Sequence, residues 1–324
     1  MTGLALLFPG QGAQAVGMGR ELAETFPAAR AVFEQADAFL NYPLSRLCWE
    51  GPAEALTRTE HCQPALYVTS LATLAALESV IASLVKRGEA ISFSPAAAAG
   101  LSLGEYTALA AAGSISFADG LRLVRLRGQA MEEAAQSAPG TMASVLGLER
   151  EPLEQICAET GAQVANLNSP GQIVISGTVQ SVEAASSRAK EKGAKRVIPL
   201  EVGGAFHSRL MEPAAERLRQ ALEGVAVHPP AFPVLSNVTG SRHGSPAEIR
   251  RLLVDQLTHP VQWVGCMQTL LGEGIRIFLE LGSGTVLKGL LRKMDPQAAV
   301  FSVGTAQELA QAAAHGPPRA PEAS

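Results

Sequence analysis

A serine stands between two glycines at the start of a helix-forming run, Gly100-Leu101-Ser102-Leu103-Gly104. That spacing suits a strand–turn–helix elbow. There the serine backbone is strained, and glycine two residues to either side lets strand and helix approach closely enough to present the hydroxyl outward. Ser94 to Ala99, bounded by Pro95 and Gly100, supplies the strand, and the alanine-rich Tyr106 to Ala112 supplies the helix. Alone, the motif also fits a chance match in a Gly- and Ala-rich chain.

The chain has 324 residues, 47% of them hydrophobic, enough for one large domain or one with a smaller insert. Charged residues make up 17%, which excludes a disordered or coiled-coil chain. A net charge of −4 argues against nucleic acid or an anionic membrane as the main partner. The basic run Lys190 to Arg196 fits a solvated helix end and leaves a local patch for an acidic partner. Cys48, Cys62, Cys157 and Cys266 show no Cys-x-x-Cys spacing and no clustered histidines, so they read as reduced, buried residues rather than metal ligands. Leu4 to Phe8 is a first strand rather than a signal peptide, and no run approaches the ~20 apolar residues of a membrane span. A cytoplasmic protein is expected.

Along the chain, helices are expected over about 28–40 and 64–87, with Gly51-Pro52 and Gln63-Pro64 as breaks. Ser116-Phe117-Ala118-Asp119 has the form of a capping box opening a helix to about Gln136. From Thr141 the order becomes β-α-β-β-α-β, that of a ferredoxin-like unit inserted into a larger α/β domain. The expected division is residues 1–135 and 200–305 for the large domain and 136–199 for the small one. Strands are expected at Val234-Leu235-Ser236 and Ile275 to Leu281, and the tail 316–324, rich in proline, is expected to be disordered.

A serine hydroxyl is a poor nucleophile until a base takes its proton. Of six histidines, His207 stands apart: Gly203-Gly204-Ala205-Phe206-His207-Ser208 follows a strand and precedes a helical run, the kind of strand-end loop that meets ligands. Arg127 is a second clue. It falls about 200° from Arg125 on a helical wheel, beside Leu123, Ala130, Met131 and Ala134. An arginine on an apolar face needs either a buried carboxylate partner or an anion that arrives with a substrate. Gly10-Gln11-Gly12-Ala13-Gln14-Ala15 has a dinucleotide-like spacing but lacks the acidic residue at the end of a second strand, so a nucleotide role is rejected. Its glycine-rich turn can instead leave backbone N–H groups facing an oxyanion.

With these features together, the chain closely resembles the malonyl-CoA:acyl carrier protein transacylases of fatty-acid synthesis, which have relatives in polyketide synthases. The resemblance spans about residues 3–305. It is carried by Phe8-Pro9-Gly10-Gln11-Gly12, Gln63-Pro64-Ala65-Leu66, Gly100 to Tyr106, Arg127-Gly128 and Asn168-Ser169-Pro170-Gly171-Gln172, then by Gly204-Ala205-Phe206-His207-Ser208, Pro260-Val261-Gln262-Trp263 and Gly282-Ser283-Gly284. It implies an α/β hydrolase-like domain with a parallel central sheet and an inserted ferredoxin-like α+β subdomain. Ser102 is then the nucleophile, His207 its base, and the backbone carbonyl of Gln262 the group that orients the imidazole. The amides of Gln11 and Leu103 form the oxyanion hole, Arg127 clamps the malonyl carboxylate with Gln63 nearby, and Asn168 and Phe206 belong to the substrate site. The implied substrates are malonyl-CoA and an acidic, phosphopantetheinylated acyl carrier protein, with no bound cofactor or metal.

One position departs from the family pattern: the histidine usual before the nucleophile is Leu101 here, which bears on rate and acyl selection. The bulk of Phe206 is similar to the malonyl-preferring pattern, although excluding one methyl is worth only ~1–3 kcal/mol. Two competing readings share features with this one. An esterase or thioesterase would need an acid between serine and histidine, where Asp119 is the single aspartate and looks committed to a helix cap, which leaves the glutamates of that stretch. The other is a trans-acting polyketide synthase acyltransferase or a proofreading module.

Overall fold

Alternation within Leu4–Phe8, the first strand β1, sets the layering of the molecule. Leu4, Leu6 and Phe8 face one apolar cluster while Ala5 and Leu7 face another. A strand buried on both faces needs helices on both sides, the arrangement parallel sheets require. The computed structural model describes residues 3–87 and 93–315; the proline-rich tail lies outside them.

After β1 come helices α1 (Arg20–Thr25), α2 (Pro27–Leu40), α3 (Leu44–Glu50), α4 (Ala53–Thr57) and α5 (Thr59–Lys86). Strand β2 (Ala97–Gly100), α6 (Leu103–Ala111) and α7 (Phe117–Ser137) follow. The next stretch is β3 (Gly140–Leu146), α8 (Arg150–Thr160), β4 (Gln163–Ser169), β5 (Gln172–Thr178), α9 (Val179–Glu191) and β6 (Arg196–Pro199). The chain then runs through α10 (Glu212–Glu223), α11 (Pro246–Asp255), α12 (Trp263–Gly272), β7 (Ile277–Leu281), α13 (Val286–Met294), β8 (Ala299–Val303) and α14 (Ala306–His315).

The central sheet is parallel, in the order β2-β1-β7-β8. The second sheet, order β4-β5-β3-β6, is antiparallel and carries α8 and α9, the ferredoxin-like unit expected from the sequence. Its strands all lie between Gly140 and Pro199. The capping box is present: the Ser116 hydroxyl accepts from the Asp119 amide at 3.0 Å and opens α7.

Three expectations need correction. Gln63-Pro64 does not break the chain, because Pro64 sits inside α5. Its missing N–H costs one intrahelical bond, and the unbroken burial from Cys62 to Ser70 holds the helix through it. Helix α5 is also long and apolar enough to cross a membrane by length and composition, contrary to the expectation that no run approaches a span. That apolarity goes into the protein core, where α5 packs on α2 and α7. Val234 to Ser236 makes isolated bridges beside β2, from Val234 to Ala98 and from Leu235 to Arg242, rather than a full strand.

Candidate active site

Strand β2 ends at Gly100 and α6 begins at Leu103, leaving Ser102 at the corner with φ 52° and ψ −100°. This is a left-handed φ that non-glycine residues rarely adopt, and such strain collects at functional sites. The glycines are required by contact. A Cβ on Gly100 would lie 1.9 Å from the Gly104 carbonyl carbon, and one on Gly104 would lie 2.1 Å from the Phe8 carbonyl oxygen. Asn237 braces the turn: its Oδ1 accepts from the Ser102 amide at 2.6 Å and its Nδ2 donates to the Gly100 carbonyl at 2.8 Å.

His207 is also held at positive φ, 56°, and is only 5% exposed. Its Nε2 lies 2.8 Å from Ser102 Oγ and its Nδ1 lies 2.8 Å from the backbone carbonyl of Gln256. A carbonyl can only accept, so Nδ1 carries the hydrogen and Nε2 presents its lone pair to the serine hydroxyl. The orienting carbonyl is therefore that of Gln256, not Gln262. The Gln262 carbonyl is taken by the Cys266 amide at 2.9 Å in the first turn of α12. Gln256 instead follows α11, where last-turn carbonyls lack intrahelical partners and carry the negative end of the helix dipole. Burial, and then the charge of Arg127, push the His207 imidazole down from 6.5 to about 4.

The Arg127 guanidinium is 1% exposed. Nη1 donates to Gln63 Oε1 at 2.8 Å, and Nη2 donates to Gln256 Oε1 and to Ser102 Oγ, both at 2.9 Å. Its Cζ stands 5.4 Å from the centre of the Tyr106 ring, and its Nε has no hydrogen-bond partner. Among the described residues no carboxylate pairs with it. Of the two possibilities the sequence left open, a buried protein carboxylate at Arg127 is thus absent. A buried cation surrounded by neutral groups is costly, and burial accordingly lowers its affinity for a proton.

Ser102, His207 and Arg127 line one cavity of about 330 Å³. Gln11, Leu103, Phe206, Asn168 and Leu101 line it as well, and the Asn168 Oδ1 there has no hydrogen-bond partner. Gln11 and Leu103 meet because β1 and β2 run parallel with Phe8 opposite Gly100, so the loops that follow open side by side. As the first residue of α6, Leu103 contributes an amide that no earlier turn of the helix can satisfy. Gln63 stands behind the arginine, fully buried, with its amide nitrogen 3.3 Å from Met131 Sδ. Two residues that sequence reasoning missed, Asn237 and Gln256, are both 0% exposed. The available signal was a polar side chain just beyond an apolar run, Val234-Leu235 and Leu252 to Val254 respectively, but such positions are also common at surfaces.

The acyl transferase domain model matches residues 5–309. The malonyl CoA-acyl carrier protein transacylase of Bacillus subtilis is 46% identical over 308 residues, covering 94% of this chain and 94% of that protein. An acyl-carrier-protein-S-malonyltransferase structure from Bartonella henselae superposes with a TM-score of 0.89 at 42% identity, covering 96% of this chain and 98% of that one. A malonyl-transacylase solved in complex with its type II polyketide synthase acyl carrier protein superposes with a TM-score of 0.90 at 37% identity, over 97% of this chain and all 100% of that chain.

Proposed function

Because this chain belongs to the acyl transferase domain family, we propose that it moves a malonyl group from malonyl-CoA to the phosphopantetheine thiol of an acyl carrier protein, through an ester on Ser102. The observation that carries this reading is Arg127, a buried cation with no carboxylate partner among the described residues, whose Nη2 lies 2.9 Å from the nucleophilic oxygen. A malonyl group has its free carboxylate one methylene from the thioester carbonyl. Anchoring that carboxylate on Arg127 brings the carbonyl carbon to Ser102, which is orientation rather than mere affinity.

As Ser102 Oγ attacks, its proton passes to His207 Nε2, and the imidazolium that forms is held by the Gln256 carbonyl. The amides of Leu103 and Gln11 take the developing oxyanion. Collapse of the intermediate breaks the C–S bond, and His207 returns the proton to the departing coenzyme A thiolate. In the second half the carrier thiol gives its proton to His207 and attacks the ester, the C–O bond breaks, and His207 returns the proton to Ser102 Oγ. Every step uses the chain's own side chains and backbone amides. We place the reaction in the cytoplasm, whose reducing conditions suit four buried free cysteines.

A hydrolase reading finds no acid at His207: Asp119 pairs with Arg122 and with the Ser116 cap of α7. The deciding experiment is incubation with labelled malonyl-CoA, then addition of phosphopantetheinylated carrier protein. Label is expected on Ser102 and then on the carrier thiol; release of free malonate as fast as carrier loading would overturn the proposal.

The pH dependence follows from His207. With its proton affinity lowered to about 4, the imidazole is a free base well below neutrality. We expect kcat/KM for malonyl-CoA to stay level from about pH 8 to about pH 5 and to fall with an inflection near pH 4. Stability moves the same way. The unfolded histidine binds its proton at about 6.5 and the folded one at about 4, so the folded state loses stability as pH falls through that window. A pH–rate profile with its acid limb near 6.5 would contradict the burial of this imidazole.

A further inference from the structure

Glu105, in the first turn of α6, lies three residues beyond the nucleophile and is 0% exposed. Its Oε2 accepts from the Asn237 amide at 3.0 Å and from Gln256 Nε2 at 2.6 Å, and its Oε1 accepts from His243 Nε2 at 2.7 Å. Asn237 and Gln256 are the two residues that hold the reacting pair. Asn237 accepts the Ser102 amide, whereas Gln256 offers its carbonyl to His207 and donates its side-chain amide to the Ser102 carbonyl at 2.9 Å. Among the described residues, Glu105 is the one side chain bonded to both. We propose that Glu105 is a positioning residue that sets Ser102 and His207 in register with each other, and that His243 fixes the carboxylate in the orientation this requires. The inference rests on the proposed acyl-enzyme chemistry.

The chemistry of the contacts favours this assignment. A carboxylate only accepts, and three donors converge on its two oxygens, so its hydrogen bonds have a single sense. Those bonds offset the cost of burying it, and each is of the stronger, charge-assisted kind. It ties α6 to one distant segment of the chain that carries the Asn237 turn, the His243 loop and the end of α11. The serine–histidine contact of 2.8 Å depends on two backbones at positive φ, each of which relaxes unless its surroundings hold it. The alternative role for Glu105 is a remote counter-charge for Arg127, reached through Gln256. The two roles predict different losses: positioning sets the reactivity of Ser102 toward any electrophile, while counter-charge sets the affinity for malonyl-CoA.

The test uses the rate at which a small, uncharged fluorophosphonate labels Ser102, alongside kcat and KM for malonyl transfer and a thermal melt of each variant. In Glu105→Gln one acceptor is replaced by an NH2 group facing a donor. Labelling and kcat are expected to fall about 10- to 100-fold, with KM for malonyl-CoA within about threefold of wild type. In His243→Leu the carboxylate keeps its charge but loses the donor to Oε1; labelling is expected to fall about tenfold, and His243→Gln, which keeps a donor, is expected to recover most of that loss. The His243 pair also serves should Glu105→Gln fail to fold. Labelling at the wild-type rate in folded Glu105→Gln or in His243→Leu, or a loss confined to KM, overturns the assignment. Because the probe carries no malonyl group, a wild-type protein that labels normally yet transfers no malonate would sink the proposed function and leave the positioning result intact.

Discussion

Ser102→Ala is expected to lower malonyl transfer by about 10⁴- to 10⁶-fold and to leave no malonyl adduct on the protein. The hydroxyl is the only atom removed, and it stands at the meeting point of the site: Oγ lies 2.8 Å from His207 Nε2 and accepts from Arg127 Nη2 at 2.9 Å. With Oγ gone the base has no proton to take, and no bond to the acyl carbon can form. The rest of the site should survive. Arg127 keeps Gln63 and Gln256, and His207 keeps the Gln256 carbonyl. Alanine at φ 52° is strained much as serine is, so the elbow gains little by the change. Intact-mass measurement after exposure to malonyl-CoA reads the adduct directly, and a variant retaining a tenth of the transfer rate would place the nucleophile elsewhere.

Arg127→Ala should cost less in chemistry and more in selectivity. Removing one partner of a buried, hydrogen-bonded charge pair costs about 3–5 kcal/mol, which corresponds to a fall in kcat/KM for malonyl-CoA of roughly 10²- to 10⁴-fold. An acyl-CoA without a free carboxylate never makes that contact, so the ratio of malonyl to acetyl transfer should collapse or invert. Arg127→Lys keeps the charge but not the planar fork and is expected to fall between the two. Arg127 is also the second cause of the low proton affinity of His207, after burial. The acid limb of acetyl transfer by Arg127→Ala should therefore lie above that of wild type, a shift that a merely structural arginine at a distance would not produce. A variant that still prefers malonyl-CoA would remove the basis for the substrate assignment.

How much of this was legible in the sequence can be judged residue by residue. The elbow could be read because its demand is local: two glycines must let β2, α6 and the end of β1 come within backbone contact, and nothing else fits. The Ser116 cap could be read for the same reason, and the helical wheel set Arg127 apart from its polar neighbours by periodicity alone. Pro64 misled because a proline signals a break only where burial does not override it; here the chain around it is core. Gln262 misled because the resemblance supplied a residue type without a direction in space. Its carbonyl opens α12, whereas the Gln256 carbonyl at the end of α11 points to the imidazole.

What the sequence by itself determined, then, is the set of local devices: an elbow at Ser102, a strand-end loop at His207, an arginine on a helix face that cannot be left to water. These follow from sterics, capping and period, all of which act over a few residues. Only the tertiary structure decided that no carboxylate among the described residues pairs with the guanidinium, that Gln256 rather than Gln262 aims the base, and that Glu105 ties Asn237 to Gln256. Those contacts join residues from separate helices and loops, and their distances are set by how whole elements pack, which no short stretch of chain encodes.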